Sequence, residues 1–155
     1  QDKLAEAEVS YRKAIELNPN YADAHSNLGV ILKDLGKLKE AEVSYRKAIE
    51  LNPNFAKAHF NLGNILREFK KLSDAKLSFK KAIQINPNLV EAHRDLGICL
   101  YLLKDIDAAL KSIIKANSID NKNRTINLSI KELEVLSNEY NFRLSYDNKL
   151  CYLKK

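Results

Sequence analysis

The chain has 155 residues, 45% of them hydrophobic and 30% charged, and its net charge is +6 from 26 Lys and Arg against 20 Asp and Glu. No run of about 18 or more apolar residues occurs, which excludes a membrane-spanning helix. Two cysteines, Cys99 and Cys151, are too few for a disulfide framework and favour a reducing, cytoplasmic location.

One stretch recurs at a fixed interval. Residues 7–20 and residues 41–54 are identical, AEVSYRKAIELNPN, and residues 75–88 hold a relaxed copy, AKLSFKKAIQINPN. Each copy begins 34 residues after the last, a period typical of proteins built from stacked repeats. Residues 1–4 align with residues 35–38, inside a repeat, so we expect the chain to be part of a longer protein.

Asn-Pro-Asn closes each of the three copies. Proline disfavours helical geometry in the residue before it, so the first Asn should end a helix. The second Asn should cap the next helix by accepting a hydrogen bond from a free backbone N–H, and Asn88 with Glu91 resembles a capping box. The predicted helix ends are Asn18, Asn52 and Asn86, and the predicted caps are Asn20, Asn54 and Asn88.

Each repeat contains two stretches with helical apolar spacing, joined by a short turn that makes the two helices antiparallel neighbours. The first stretch of the first full repeat carries Ala24, Leu28, Ile31, Leu32 and Leu35. Small residues at Gly29, Gly63 and Gly97 predict positions where two helix backbones approach closely. The bulky residues predicted to fill the space between neighbouring repeats are Tyr11, Tyr45, Phe79 and Ile113.

Leu-Gly in the first helix, then Ala, Tyr or Phe and Ala in the second, and a closing Pro at period 34 resemble the tetratricopeptide repeat. The resemblance covers about residues 1–121 and implies an all-α solenoid of antiparallel helix pairs, a right-handed superhelix with a C-terminal capping helix. The predicted segments are a half-repeat (1–20), full repeats (22–55, 56–89 and 90–123), a capping helix (124–138) and a tail (139–155). The tail is predicted to be either a hairpin or the start of a downstream domain.

Three histidines, His25, His59 and His93, occupy the position where this family often has Trp. The ligands of one metal ion must converge, whereas equivalent positions of stacked repeats lie about 10 Å apart. We therefore predict packed structural imidazoles, no metal site and no cofactor. No phosphate-binding, hydrolase or paired Cys–His motif occurs, so we expect no catalysis by these residues.

The face of each first helix opposite its apolar stripe is predicted to line a concave groove that binds an extended peptide or a partner protein. Exposed apolar groups there, such as Phe60, Ile98 and Tyr101, usually mark a contact surface. The repeats differ in sequence on this face, so we expect these residues to determine specificity for the partner. The predicted partner-binding residues are Ser26, Asn27, Val30, Lys57, Phe60, Asn61, Asn64, Arg67, Arg94, Asp95, Ile98 and Tyr101.

Asn27, Asn61 and Asp95 form a ladder with one rung per repeat. The ladder looks like the asparagine ladder of the O-linked N-acetylglucosamine transferases, which holds extended substrate chains through amide groups that both donate and accept. The carboxylate clamp of chaperone-binding tetratricopeptide domains is not expected, because only one of its five positions matches. Those positions read Ser26, Val30, Asn61, Glu91 and Asp95.

Three alternatives to a stand-alone peptide scaffold remain. The groove is near neutral, which argues against specific nucleic-acid binding and leaves a weak, nonspecific contact through Arg143, Lys149, Lys154 and Lys155 as the first alternative. The repeats are also consistent with the substrate-presenting arm of a larger glycosyl-, sulfo- or methyltransferase. Self-association through Tyr11 and Ile15 of the leading half-repeat is the third alternative.

Overall fold

The computed structural model describes residues 2–120, which form seven α-helices and no strand. The helices are α1 (Asp2–Leu17), α2 (Ala22–Asp34), α3 (Leu38–Leu51), α4 (Ala56–Glu68), α5 (Leu72–Ile85), α6 (Val90–Leu102) and α7 (Ile106–Ile119). They fall into two compact units, with α1 to α5 in the first and α6 and α7 in the second, which begins at residue 88. The prediction of an all-α repeat fold is confirmed. The predicted capping helix and tail, with residues 121–123, lie outside the described residues.

The helices pack in pairs, as the alternation of apolar stripes predicts. In the first unit α2 packs on α3 and α4 packs on α5, while α1 packs on α2 and α3 packs on α4. In the second unit α6 packs on α7. The core of each pair contains one large side chain from its second helix, and all three are at most 1% exposed: Tyr45, Phe79 and Ile113. Burial also raises the pKa of the Tyr45 phenol, and the charge of Asp34 adds to that shift.

The turn inside each pair requires a left-handed residue. Its φ is 75° at Gly36, 61° at Lys70 and 66° at Lys104. In the first turn the N–H of Gly36 donates to the Lys33 carbonyl at 2.9 Å, and the N–H of Lys37 donates to the Leu32 carbonyl at 2.8 Å. These two bonds satisfy carbonyls at the end of α2 in the Schellman pattern, which fixes the short connection.

The Asn-Pro-Asn turns confirm one prediction and contradict another. Helices α1, α3 and α5 end immediately before the first Asn, as predicted. The second Asn does not cap the next helix, because the N-cap is the following residue, Tyr21, Phe55 or Leu89, and none of these makes a side-chain cap bond. The Asn18 side chain instead accepts a hydrogen bond from the Asn20 N–H at 3.2 Å, and Asn52 accepts from Asn54 at 3.1 Å. The capping and capping-box predictions are therefore wrong.

The glycines of the first helices leave space mainly for a side chain of the paired helix, and less for its backbone. A methyl group on Gly29 would lie 2.6 Å from Cε1 of Tyr45 on the paired helix. The prediction of a close backbone approach holds better at Gly97, where a methyl group would also lie 3.2 Å from the Ala109 carbonyl oxygen. The aromatic rings thus occupy space inside their own helix pair, where a larger residue in place of glycine would exclude them.

Candidate functional site

The predicted contact residues of α2 differ in exposure. Asn27 is exposed and Val30 is partly exposed, so both are available to a partner. Helical spacing predicts Ser26 at the surface as well, but Ser26 is only 2% exposed. Because α2 packs against both α1 and α3, its buried arc is wider than its apolar stripe. Ser26 is therefore not accessible to a partner in this conformation.

On α4 an aromatic pair fixes the position of one contact residue. Phe60 is partly exposed, and its ring centroid lies 6.0 Å from that of buried Phe79, with the rings tilted by 48°. This tilted arrangement is one that aromatic pairs favour. Phe60 therefore presents the rest of its ring to solvent from a supported position.

The polar residues of α4 lie on the same helix surface as Phe60. Lys57 is exposed, while Asn61, Asn64 and Arg67 are partly exposed. The Arg67 guanidinium donates to Asn64 Oδ1 at 3.2 Å, which orients both side chains. The Asn61 Nδ2 atom is buried and has no hydrogen-bond partner. A buried amide donor without an acceptor costs about 1–3 kcal/mol, which makes Asn61 the least satisfied polar group of this surface.

The predicted contact residues of α6 belong to the second unit. Arg94 Nε donates to Asp95 Oδ1 at 3.0 Å, and Asp95 is 4% exposed. The prediction that Asp95 is an accessible rung of the ladder is not met in this conformation, because its carboxylate is buried and ion-paired in place. Ile98 and Tyr101 are partly exposed, and Tyr101 packs on the core cluster formed by Leu110, Ile113 and Ala116.

His25 and His59 each contact the turn that precedes their helix. His25 Nε2 lies 2.9 Å from the Pro19 carbonyl oxygen, and His59 Nε2 lies 3.0 Å from that of Pro53. Because a carbonyl only accepts, each Nε2 is the protonated donor. The imidazoles thus tie the Asn-Pro-Asn turn to the following helix. Within residues 2–120, no group of three or more His, Cys, Asp or Glu side chains is placed to hold a metal ion.

A second surface, which the helical spacing did not predict, lies on the solvent side of α1, α3 and α5. Three equivalent apolar residues lie there, Val9, Val43 and Leu77, at 69%, 68% and 62% exposure. The signal was present in the sequence, since an apolar residue recurs at this position although it lies off the buried stripe. Isolated exposed apolar residues are common, whereas a periodic row in one unit is not.

Two clefts adjoin this row, at equivalent positions of consecutive repeats. The first is lined by Arg12, Ile15, Glu16, His25, Leu28, Val43, Ser44 and Lys47. The second has a volume of about 480 Å³ and is lined by Arg46, Ile49, Glu50, His59, Leu62, Leu77, Ser78 and Lys81. Each cleft has an apolar floor and a charged rim, a combination that suits an amphipathic side chain or peptide.

Ion pairs connect α1 to the segment that begins α3. Glu8 binds Lys37 at 2.8 Å and Arg12 at 2.8 Å, and Arg12 also binds Glu40 at 2.8 Å. The hydrogen bond from Lys37, followed by that from Arg12, lowers the pKa of the Glu8 carboxyl below its ordinary 4.5. The hydrogen bond to Glu8 correspondingly raises the pKa of Arg12.

Paired helices of constant length, connected by short turns and repeated along the chain, define a helical repeat protein. Models of the tetratricopeptide repeat match residues 22–55 and 56–89, and a related TPR repeat model matches residues 1–36. The chain belongs to the tetratricopeptide repeat family. Among curated proteins, none matches the chain.

Solved structures give the same fold. The structure of MamA superposes with a TM-score of 0.82 at 23% identity, covering 90% of this chain and 80% of MamA. PilF of Pseudomonas aeruginosa superposes with a TM-score of 0.82 at 27% identity, covering 90% of this chain and 64% of PilF. The first TPR of Spaghetti (RPAP3), bound to the HSP90 peptide SRMEEVD, has a TM-score of 0.72 at 18% identity, with 74% of this chain and 91% of that chain covered.

None of the helices in residues 2–120 combines the length and the apolar composition that crossing a bilayer requires.

Proposed function

We propose that the exposed surface of α2 and α4 binds an extended segment of a partner protein. Tetratricopeptide repeats are typical protein-interaction scaffolds, and both helices are the first helix of their repeat. Both also pack against α3, so their exposed residues project from one support. The RPAP3 domain, which shares this fold, is bound to a peptide.

The observation that carries the proposal is that Phe60 and Asn61 are adjacent on the surface of α4. Phe60 offers a supported aromatic surface beside an amide whose Nδ2 lacks an acceptor. A rotation of the Asn61 side chain would let it donate to a peptide carbonyl and remove the cost of the unsatisfied donor. Binding the backbone in this way selects an extended chain with little dependence on its sequence.

The partner is held by several modest contacts on a surface that exists before binding. Phe60 anchors an apolar side chain, Asn61 and exposed Asn27 bind the peptide backbone, and Arg67 binds an acceptor. A preformed surface limits the ordering cost of association, so such contacts suffice for useful affinity. A C-terminal carboxylate is not the recognised feature, because Val30 and Glu91 stand at two of the clamp positions.

Selection and point substitution test this proposal. A random-peptide phage library is panned on the full chain, and the selected peptides are measured by fluorescence anisotropy. Phe60→Ala and Asn61→Ala should each weaken binding by about tenfold, the effect of losing about 1.4 kcal/mol. The matched control is Lys39→Ala, an exposed change on α3 away from this surface. Thermal unfolding by circular dichroism verifies that each variant folds.

The outcome that contradicts the proposal is a set of folded variants that bind every selected peptide with unchanged affinity. The free and C-terminally amidated forms of SRMEEVD provide a further test. We expect no preference for the free carboxylate, and a strong preference would show that a clamp exists here. The alternative of a substrate-presenting transferase arm stays a prediction, as does a cytoplasmic location.

A further inference from the structure

The three equivalent helices α1, α3 and α5 differ in how their cations are compensated. In α1, Arg12 binds Glu8 and Lys13 binds Glu16. In α3 the same pairs recur, with Arg46 on Glu42 at 2.7 Å and Lys47 on Glu50 at 2.7 Å. The cations of these two helices are therefore largely neutralised within their own helix.

In α5 the carboxylates of both pairs are replaced. Lys76 stands where α1 and α3 have glutamate, and Gln84 stands at the second glutamate position. Lys81 donates to the neutral Gln84 Oε1 at 3.2 Å, while Lys80 is exposed beside Lys76. Charge on this helix is therefore left uncompensated, unlike that of its two counterparts.

The turn before α5 adds to the excess of positive charge. Lys70 and Lys71 stand where the first turn has Gly36 and Lys37, so residues 70–85 contain five lysines against one acidic residue, Asp74. Lys71 lies over the Phe69 ring, 5.7 Å from its centroid. Within residues 2–120, none of these five lysines forms an ion pair.

The same face of α5 carries an apolar residue beside a cleft. Leu77 is 62% exposed and lies one helical turn from Lys80 and Lys81. Leu77 and Lys81 form one wall of the second cleft, whose floor includes Ile49 and Leu62. We call the surface formed by Lys76, Leu77, Lys80 and Lys81, together with the cleft beside Leu77, the α5 outer face. Lys70 and Lys71 lie in the turn that precedes it.

From this geometry we infer that the α5 outer face binds an acidic protein segment that carries an apolar side chain. Carboxylates of the segment pair with Lys76, Lys80 and Lys81, and the apolar side chain enters the cleft against Leu77. Opposite charge on the ligand accelerates association and sets its orientation, and the cleft supplies apolar burial. This surface is separate from the α2 and α4 surface proposed above, so the inference does not depend on that function.

The residues on this face favour a peptide over a nucleic acid. Proteins that bind single strands combine basic residues with aromatic rings on which the bases stack. The α5 outer face has lysine at the position of Arg12 and Arg46 and exposes no aromatic ring, apart from partly buried Phe69 beneath Lys71. Lysine pairs with phosphates as well as with carboxylates, so the apolar cleft beside Leu77 is what favours a protein segment with an apolar side chain.

The probe is a fluorescent peptide of about twelve residues in which Glu and Asp surround a central Leu. Its affinity for the full chain is measured by anisotropy at about 50 and about 300 mM NaCl, since screening weakens exposed charge pairs. Control peptides replace the acidic residues with Lys, or the central Leu with Ser. We expect binding of the acidic Leu peptide, at least about tenfold weaker binding at the higher salt, and none of the Lys peptide.

The decisive variant restores in α5 the residues that α1 and α3 contain. Lys76→Glu with Gln84→Glu should reduce affinity for the acidic peptide at least about tenfold without harming the fold, since both glutamates are accommodated in the sister helices. The reciprocal control in α3, Glu42→Lys with Glu50→Gln, should create a second binding surface for the same peptide. Unchanged affinity in the α5 variant, once circular dichroism shows it folded, would overturn the inference.

A second variant tests the cleft. Leu77→Ser should weaken binding of the Leu peptide several-fold and leave the affinity for the Ser peptide unchanged. Only the Leu peptide places an apolar side chain against Leu77. Single-stranded DNA and vesicles containing about one third phosphatidylserine are assayed in parallel. Tighter binding of either one than of the acidic peptide, with the same dependence on Lys76, would also overturn the assignment to a protein segment.

Discussion

Gly63 and Phe79 are matched to each other: a methyl group on Gly63 would lie 2.6 Å from Cε1 of the Phe79 ring. Phe79 itself is fully buried, so its ring has no space to retreat into. The glycine thus costs helix propensity in α4 but permits a large aromatic side chain in the core of the α4–α5 pair. That ring in turn supports Phe60, which connects packing to the proposed binding surface.

Gly63→Ala should destabilise the protein although alanine is the better helix former. Overpacking of a buried site costs about 1–3 kcal/mol, against about 1 kcal/mol gained in helix propensity. We expect a net loss of about 1 kcal/mol in the free energy of unfolding, measured by urea denaturation. Phe79→Leu in the same chain should recover part of that loss, and strict additivity of the two changes would contradict this account.

Lys70→Gly should stabilise the protein, because Lys70 has a φ of 61° at a position where Gly36 serves in the preceding repeat. Relieving this conformation should raise the free energy of unfolding by about 0.5–1 kcal/mol, after the greater chain entropy of glycine is included. The neighbouring Lys71 has a φ of −81°, so Lys71→Gly is a matched control that should destabilise. Equal effects at the two positions would refute the strain argument.

The carboxyl of Glu8 should titrate below its ordinary value of 4.5, chiefly because Lys37 hydrogen-bonds it and then because Arg12 does. A folded-state pKa below the unfolded one adds stability at pH above 4.5, and this contribution is lost as pH falls through the folded value. Carboxyl carbon-13 titration by NMR measures the shift directly. Lys37→Met should raise the Glu8 pKa, whereas Lys71→Met, the equivalent change one repeat later, should leave it unaltered.

Loss of the His59 donor should weaken the Asn-Pro-Asn turn. His59 Nε2 donates to the Pro53 carbonyl at 3.0 Å, a bond worth about 1 kcal/mol net. His59→Phe should lower the free energy of unfolding by about that amount in urea denaturation. His59→Trp keeps a ring N–H donor and should be less harmful; if Phe and Trp destabilise equally, the hydrogen bond is not the reason for the histidine.

Periodicity predicted the repeat architecture because the physical signals there are local and repeated. The apolar spacing of each helix and the proline after Asn18 and Asn52 set the helix ends correctly. The N-caps could not be predicted from the same signals. An asparagine offers several competing hydrogen bonds, and in this turn the Asn18 side chain binds the Asn20 backbone while Tyr21 starts the next helix.

The candidate site was less predictable, because exposure depends on which helices pack around each position. Ser26 and Asn27 are neighbours in sequence, yet one is buried and the other exposed. Asn27, Asn61 and Asp95 share a repeat position, but they are respectively exposed, partly exposed and buried. A helical stripe shows where apolar side chains fall, not how many neighbours surround the helix.

The ion pairs that join α1 to α3 have no counterpart between α3 and α5. Lys37 binds Glu8 and Arg12 binds Glu40, whereas the equivalent Lys71 lies over Phe69 and the position of Glu40 is held by the shorter Asp74. Repeats that share a nearly identical sequence therefore differ in the ion pairs that join them to their neighbours. In a nearest-neighbour description of stability, ion pairs contribute to the α1–α3 junction and not to the α3–α5 junction. Added salt should therefore weaken the α1–α3 junction more than the α3–α5 junction.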